Sequence, residues 1–316
     1  MPKKLPLFYF PPTICWVDDN ELFLNAANLL FKEDYRCISF VNPKEALQFL
    51  HTYQSACSKI NFTREFIESD IFDTHDHLPI DINISEITQL ANTSSIQNEI
   101  AILIIDNNMP GMSGIEICHT LNHATYKKIL LTGQTSPTEV VDAFNQGIID
   151  KFIAKDQFAS DKLQQYIHEL SYQYFCNITK HILAHLETSR PSVLSDRVFI
   201  DFFLHWCEAN QIIEYYLINK HGSFLVKDKN GSSSYFIVMS EHAKDEFLKL
   251  NDDAIEKIED ILLKVAQGEM IPFFGIGKEH WEFNYDDWNN YFYPANIIQG
   301  REKYYWTTSN DKGGTQ

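Results

Sequence analysis

Five short apolar runs punctuate the first half of the chain. Thr13-Ile-Cys-Trp-Val17 stops at Asp18-Asp19-Asn20, residues 36–41 stop at Asn42, and residues 100–105 stop at Asp106. Lys128-Ile-Leu-Leu-Thr132 and residues 150–155 are the fourth and fifth, the last the weakest. Helical spacing separates them. Leu22, Ala26, Leu29 and Leu30 share one face after the first run. Asn42 caps a helix after the second, with Pro43 at its first position and an apolar face of Ala46, Leu47, Phe49 and Leu50. The run 100–105 has no polar alternation, the mark of a central parallel strand covered on both faces. Strands alternating with helices predict an α/β domain with a doubly wound, five-stranded parallel sheet.

Residues 51–98 fit no simple crossover and read as an insertion at about 52–98, with helix-like pieces near 63–71 and 85–91. A long amphipathic helix spans 160–186, with Leu163, Ile167, Leu170, Tyr174, Ile178 and Ile182 at helical spacing. Arg190-Pro191-Ser192 stops it. A helix at 199–206 and strands at 213–218, 224–226 and 235–239 follow, the last two joined across Asn230-Gly231. A helix at 253–266 ends before Gly268, and the aromatic tail 272–306 shows no clear period. The expected organisation is a first domain over 1–175, a linker helix over 160–190, and a smaller α+β domain with an antiparallel meander over 191–316. The N-terminal residues, broken by Pro6, Pro11 and Pro12, read as an extended arm leading into the first strand rather than a signal peptide.

The net charge of −17 disfavours non-specific binding to phosphate backbones. Residues 190–316 hold 13 Lys and Arg against 20 Asp and Glu, which ranks DNA binding by the second domain below protein contact. No apolar run reaches the ~18 residues of a membrane helix. Cys15, Cys37, Cys57, Cys118, Cys176 and Cys207 are scattered, as in reduced cytoplasmic proteins.

Ligands of open α/β sheets sit beyond the carboxyl ends of the strands. Asp18, Asp19, Asp106, Thr132 and Lys155 all fall there. Clustered carboxylates need a cation, and hard oxygen ligands suit Mg²⁺. Lysine and threonine suit phosphoryl oxygens, and a carboxylate in line with a phosphoryl group can become an acyl phosphate. These residues suit phosphoryl transfer onto an aspartate.

Asp18-Asp19-Asn20, Asp106-x-x-Met-Pro-Gly-Met-x-Gly114, Thr132-Gly133 and Lys155, in this order at successive strand ends, resemble the receiver domain of two-component response regulators. The resemblance spans about residues 12–175 apart from the insertion, and implies a flavodoxin-like fold. It implies that Asp106 is the phosphoacceptor, serving a sensor histidine kinase or phosphotransfer protein. Asp18, Asp19, Asp106 and the backbone carbonyl of Asn108 would hold Mg²⁺. Thr132 and Lys155 would bind the phosphoryl group, and Phe152 stands at the aromatic switch position. The expected output is altered partner binding or self-association as a homodimer, with no enzyme activity beyond self-catalysed phosphorylation and dephosphorylation. DNA-binding transcription control is the alternative. The sequence departs from the pattern in having Phe152 rather than tyrosine and Asp156 rather than proline after the lysine. The second domain, with Glu214-Tyr-Tyr-Leu217 and Gly222-Ser-Phe-Leu225, resembles the C-terminal regions of certain receiver proteins. A quorum-sensing response regulator is one identity compatible with that.

Plainer readings apply elsewhere. Asp73-Thr-His75-Asp-His77 reads as a solvated loop, and His181 and His185 as surface or interface residues. Gly275-Ile-Gly277 lacks the rest of a dinucleotide fingerprint, and the tail aromatics read as core.

Overall fold

The computed structural model describes residues 4–57, 63–64, 81–133, 137–155, 160–186, 192–251, 255–278 and 280–310. The chain divides into two compact units. A parallel unit takes residues 11–60 and 93–178, and an antiparallel unit takes residues 1–10, 61–92 and 179–316.

In chain order, β1 (Phe8–Tyr9) and β2 (Thr13–Val17) precede α1 (Glu21–Phe31), β3 (Arg36–Phe40) and α2 (Pro43–Thr52). Next come β4 (Thr63–Arg64), β5 (Asp81–Ile82), α3 (Ile84–Leu90) and β6 (Ile100–Asp106). They are followed by α4 (Gly114–Thr120), β7 (Lys127–Thr132), α5 (Pro137–Asn145), β8 (Lys151–Ala154) and the long α6 (Ser160–Leu186). After α7 (Arg197–Ala209) lie β9 (Ile212–Leu217), β10 (Phe224–Asp228), β11 (Ser233–Ser240), α8 (Glu241–Leu250) and α9 (Ile255–Ala266). Four strands close the order: β12 (Met270–Pro272), β13 (Phe292–Pro294), β14 (Asn296–Gln299) and β15 (Lys303–Asn310).

The parallel unit holds the expected five-stranded sheet, in the order β3-β2-β6-β7-β8 with every pair parallel. All seven residues of β6 are buried, as its unbroken apolar run required. Asn42 caps α2 by accepting from the Lys44 amide, with Pro43 buried at the helix start. The face expected for α1 is corrected. Leu22, Ala26, Leu29 and Leu30 lie exposed, and Leu24, Ala27 and Phe31 face the core. Both sets share one helical period, and only the crossover geometry decides which of them meets the sheet.

The antiparallel unit is built on a six-stranded sheet, ordered β1-β9-β10-β11-β15-β14, beside the two-stranded β12-β13. Alternation divides its side chains between two faces. Phe199, Phe203 and Trp206 of α7 pack on Tyr215, Phe224 and Phe236. On the opposite face Ile237 and Tyr305 join Ile271. The β10–β11 hairpin turns at Gly231, whose φ of 81° suits glycine. The Asp228 carboxylate accepts from the amides of Asn230 and Ser232 in that turn.

Three expectations change here. The N-terminal arm is not part of the first domain: β1 pairs antiparallel with β9, joining Phe8 to Tyr216 and Tyr9 to Tyr215. Thr63–Arg64 is a strand paired with β5, not the start of a helix, and the rest of that expected helix lies outside the described residues. The central part of the insertion, residues 61–92, also belongs with the antiparallel unit. The Lys227 amine on β10 donates to the Ala91 carbonyl at the end of α3, 2.5 Å away, and pairs with Glu214 at 3.4 Å. The helix over 85–91 is present as α3. The apparently aperiodic tail supplies β13 to β15, and α8 follows β11 where the sequence pattern implies no helix. Many tail aromatics are core, Trp288, Tyr304 and Tyr305 among them, but Trp281 is exposed.

Candidate functional site

The carboxyl ends of β2 and β6 lie side by side, with Val17 opposite Ile105. The residues that follow therefore converge. Asp18 and Asp106 are buried and Asp19 is exposed. One carboxylate oxygen from each lies within 4.8 Å of the other two, the only such cluster among the described residues. Asn20 caps α1 by accepting from the amides of Leu22 and Phe23, and its own amide donates to Asp18 Oδ1 at 3.0 Å. The helix start thus holds one carboxylate in place.

Lys155, just past β8, reaches back across the sheet end. Its Nζ lies 2.7 Å from Asp18 Oδ2 and 3.0 Å from Asp106 Oδ2, and 5.1 Å from the centre of the Phe23 ring. Burial opposes its charge, but hydrogen bonds to Asp18 and Asp106, with their negative charge, outweigh it. The amine sits above the ordinary lysine range. Burial pushes Asp18 upward, against the opposing pull of Lys155. Asp106 Oδ1 is buried and has no hydrogen-bond partner among the described residues. A buried carboxylate oxygen without a donor, beside two more carboxylates, fits a hard divalent cation.

The loop after β6 is closely built. The Asn107 amide donates to the Leu131 carbonyl at 2.9 Å, and Asn107 Oδ1 accepts from the Ile115 amide at 3.1 Å. Ser113 and Glu116 form a reciprocal cap at the start of α4. A Cβ on Gly114 would lie 2.4 Å from the Asp106 carbonyl oxygen and 2.9 Å from Leu130 Cδ1. Gly114→Ala is therefore expected to destabilise the parallel unit by about 1–3 kcal/mol, because the obstacle is backbone and cannot rotate away. Denaturant unfolding followed at both units tests this. An unchanged midpoint would show that the loop yields freely.

Thr132 ends β7 beside Ala154, and Asn108 is exposed on the loop after Asp106. Phe152 is 43% exposed and meets Phe144 of α5 edge-on, with 6.2 Å between ring centres. It points away from the core in this state. Asn107 and Phe23 also belong to the site. Asn107 carries a signal in its place beside Asp106; Phe23 carries none, since its role depends on where Lys155 lands. Asp156, His75 and His77 lie outside the described residues, and His181 is exposed. All six cysteines are free.

The Response regulator receiver domain model matches residues 75–168. The structure of the Legionella pneumophila response regulator LqsR is similar over 96% of this chain and 89% of its own, with 28% identity and a TM-score of 0.75. Residues 75–168 thus match a receiver domain, and nearly the whole chain is similar to a response regulator. Its parallel unit is the receiver domain, and the similarity to LqsR takes in the antiparallel unit as well. A receiver domain of an HD-domain protein from Pseudomonas fluorescens is 17% identical, covering 52% of this chain and 97% of its own, with a TM-score of 0.35. A CheY-like receiver from Methanospirillum hungatei gives 17%, 52%, 96% and 0.35 in turn. No curated protein sequence matches the chain. Among the described residues of this chain, no helix is long and apolar enough to cross a membrane.

Proposed function

We propose that this response regulator accepts a phosphoryl group on Asp106 from a histidine kinase or phosphotransfer protein. The supporting observation is the buried Asp106 Oδ1, without a hydrogen-bond partner among the described residues, set among Asp18 and Asp19 while Lys155 holds the other oxygen. Asp18, Asp19, Asp106 and the Asn108 backbone carbonyl are the groups that would hold Mg²⁺. The cation would neutralise charge between the aspartates and the incoming phosphoryl oxygens. In the transfer, Asp106 Oδ1 attacks phosphorus as the bond to the donor's leaving group breaks, which forms an acyl phosphate. Lys155 offers a hydrogen-bonding cation to the phosphoryl oxygens, and Thr132 a hydroxyl. The exposed Phe152 is free to turn inward when Thr132 moves, and as a phenylalanine it would act through packing alone.

The proposed output is protein contact, including self-association. The stripe of α6 continues past Tyr174 to Ile178 and Ile182, beyond what a receiver sheet covers. DNA binding by the antiparallel unit finds no support in its acidic balance. The protein's place is taken to be the cytoplasm, where kinases supply the phosphoryl group. Incubation with acetyl phosphate and Mg²⁺ tests both parts. The expected result is a mass gain on the peptide carrying Asp106 and a tighter monomer–dimer equilibrium by sedimentation. An equilibrium shift of ~1 kcal/mol, severalfold in association constant, is the least that regulation needs. Equal association constants before and after modification reject the output while leaving the phosphorylation site standing.

A further inference from the structure

Glu99 lies at the opposite end of β6 from Asp106 and is fully buried. Its carboxylate gathers four donors. Ser55 Oγ, at 2.6 Å, and the Tyr174 hydroxyl donate to Oε1; the amides of Ala56 and Cys57 donate to Oε2 at 2.7 and 3.2 Å. Its backbone is engaged too. The Thr13 amide donates to the Glu99 carbonyl at 2.8 Å, and Thr13 Oγ1 donates to the Gln97 carbonyl at 2.6 Å. Tyr53 donates to the Asn98 carbonyl and accepts from the Ile100 amide. Burial, then the Glu99 charge, push the Tyr174 hydroxyl well above its ordinary range, so it stays protonated and donates.

These residues all belong to the receiver unit, and their places along the chain are not random. The chain passes between the units four times: after Phe10, after Ile60, after Asn92 and after Ile178. Thr13 follows the first passage, Ser55 to Cys57 precede the second, Gln97 to Glu99 follow the third, and Tyr174 precedes the fourth. Glu99 thus ties together the receiver-side ends of every covalent connection, the first through its backbone carbonyl and the others through its carboxylate. A structural ion site would need cations or open coordination, and here four hydrogen-bond donors already occupy both oxygens.

We propose that Glu99 is a positioning residue, the joint that binds the four receiver-side chain ends into one cooperative element. On the proposed phosphorylation of Asp106, on which this part rests, the change reaches the antiparallel unit through all four connections rather than through α6 alone. The donors suit a neutral replacement. In Glu99→Gln the amide oxygen accepts from Ala56 and Cys57, and the amide N–H₂ faces two hydroxyls that can turn to accept. Glu99→Leu takes the shared acceptor away from all four donors.

The test uses the full chain. In Tyr174→Phe, hydrogen exchange at the amides of Thr13, Ala56, Cys57 and Ile100 is expected to quicken about tenfold, although none of them bonds to Tyr174. Glu99→Leu extends the effect and Glu99→Gln largely restores the wild-type rates. Wild-type rates at these amides in Tyr174→Phe overturn the joint, whether or not Glu99→Leu folds. With acetyl phosphate and Mg²⁺, Tyr174→Phe is expected to take up the phosphoryl group as the wild type does. The resulting exchange change in residues 192–310 should be at least about threefold smaller; an equal change overturns the route. A chain that takes up no phosphoryl group overturns the assignment of Asp106 instead, and the four amides still decide the joint.

Discussion

Replacing Asp106 by asparagine is expected to abolish phosphoryl uptake from acetyl phosphate. The substitution keeps the size of the side chain and the end of β6, so it isolates the nucleophile. An amide oxygen does not form a stable acyl phosphate, and the loss is all-or-none rather than graded. The wild-type reaction should in turn vanish when Mg²⁺ is removed by chelation, because three carboxylates within 4.8 Å repel an incoming phosphoryl anion unless a cation stands among them. Intact-mass measurement with peptide mapping decides both points. A mass gain in Asp106→Asn equal to that of the wild type would falsify the assignment. Uptake that survives chelation would instead remove the cation from the mechanism.

Lys155→Met is expected to destabilise the receiver unit by about 1–3 kcal/mol in the absence of divalent cations, and by much less in Mg²⁺. Lys155 is the cation that Asp18 and Asp106 share, at 2.7 and 3.0 Å. Without it two buried carboxylates lose their counter-charge, the costly case for a buried pair. The partial exposure of the lysine keeps the cost below that of a fully buried pair. Mg²⁺ among the aspartates would supply the missing charge, so the difference between variant and wild type should shrink as the ion is added. The pH dependence has a definite sign. Lys155 is held above its ordinary value of 10.5, so its contribution is fully present below that pH and is lost as pH rises through the higher folded value. Wild type and Lys155→Met should therefore converge in unfolding free energy at alkaline pH. Denaturant unfolding across this range, with and without Mg²⁺, provides the measurement. A gap between the two proteins that ignores both pH and Mg²⁺ would remove Lys155 from the charge balance of the site.

Much of the receiver was legible along the chain. The unbroken run 100–105 meant a strand buried on both faces. The residue ending each run marked the site, because parallel strands with right-handed crossovers present their carboxyl ends on one side. Asp18, Asp19 and Asp106 meet for that reason alone, and Asn42-Pro43 and Gly231 kept their local roles because caps and tight turns depend on adjacent residues. Tertiary structure decided what depends on distant partners. Two stripes on α1 were equally apolar, and the sheet took Leu24, Ala27 and Phe31. The N-terminal arm lies next to the receiver in sequence, yet Phe8 and Tyr9 complete a sheet edge supplied by Tyr215 and Tyr216. The tail strands have no clean alternation because aromatics serve both faces of their sheet. Nothing in the local pattern marks Glu99 for burial; it is buried because Ser55, Ala56, Cys57 and Tyr174, from two remote segments, bring enough hydrogen bonds to replace the water it gives up.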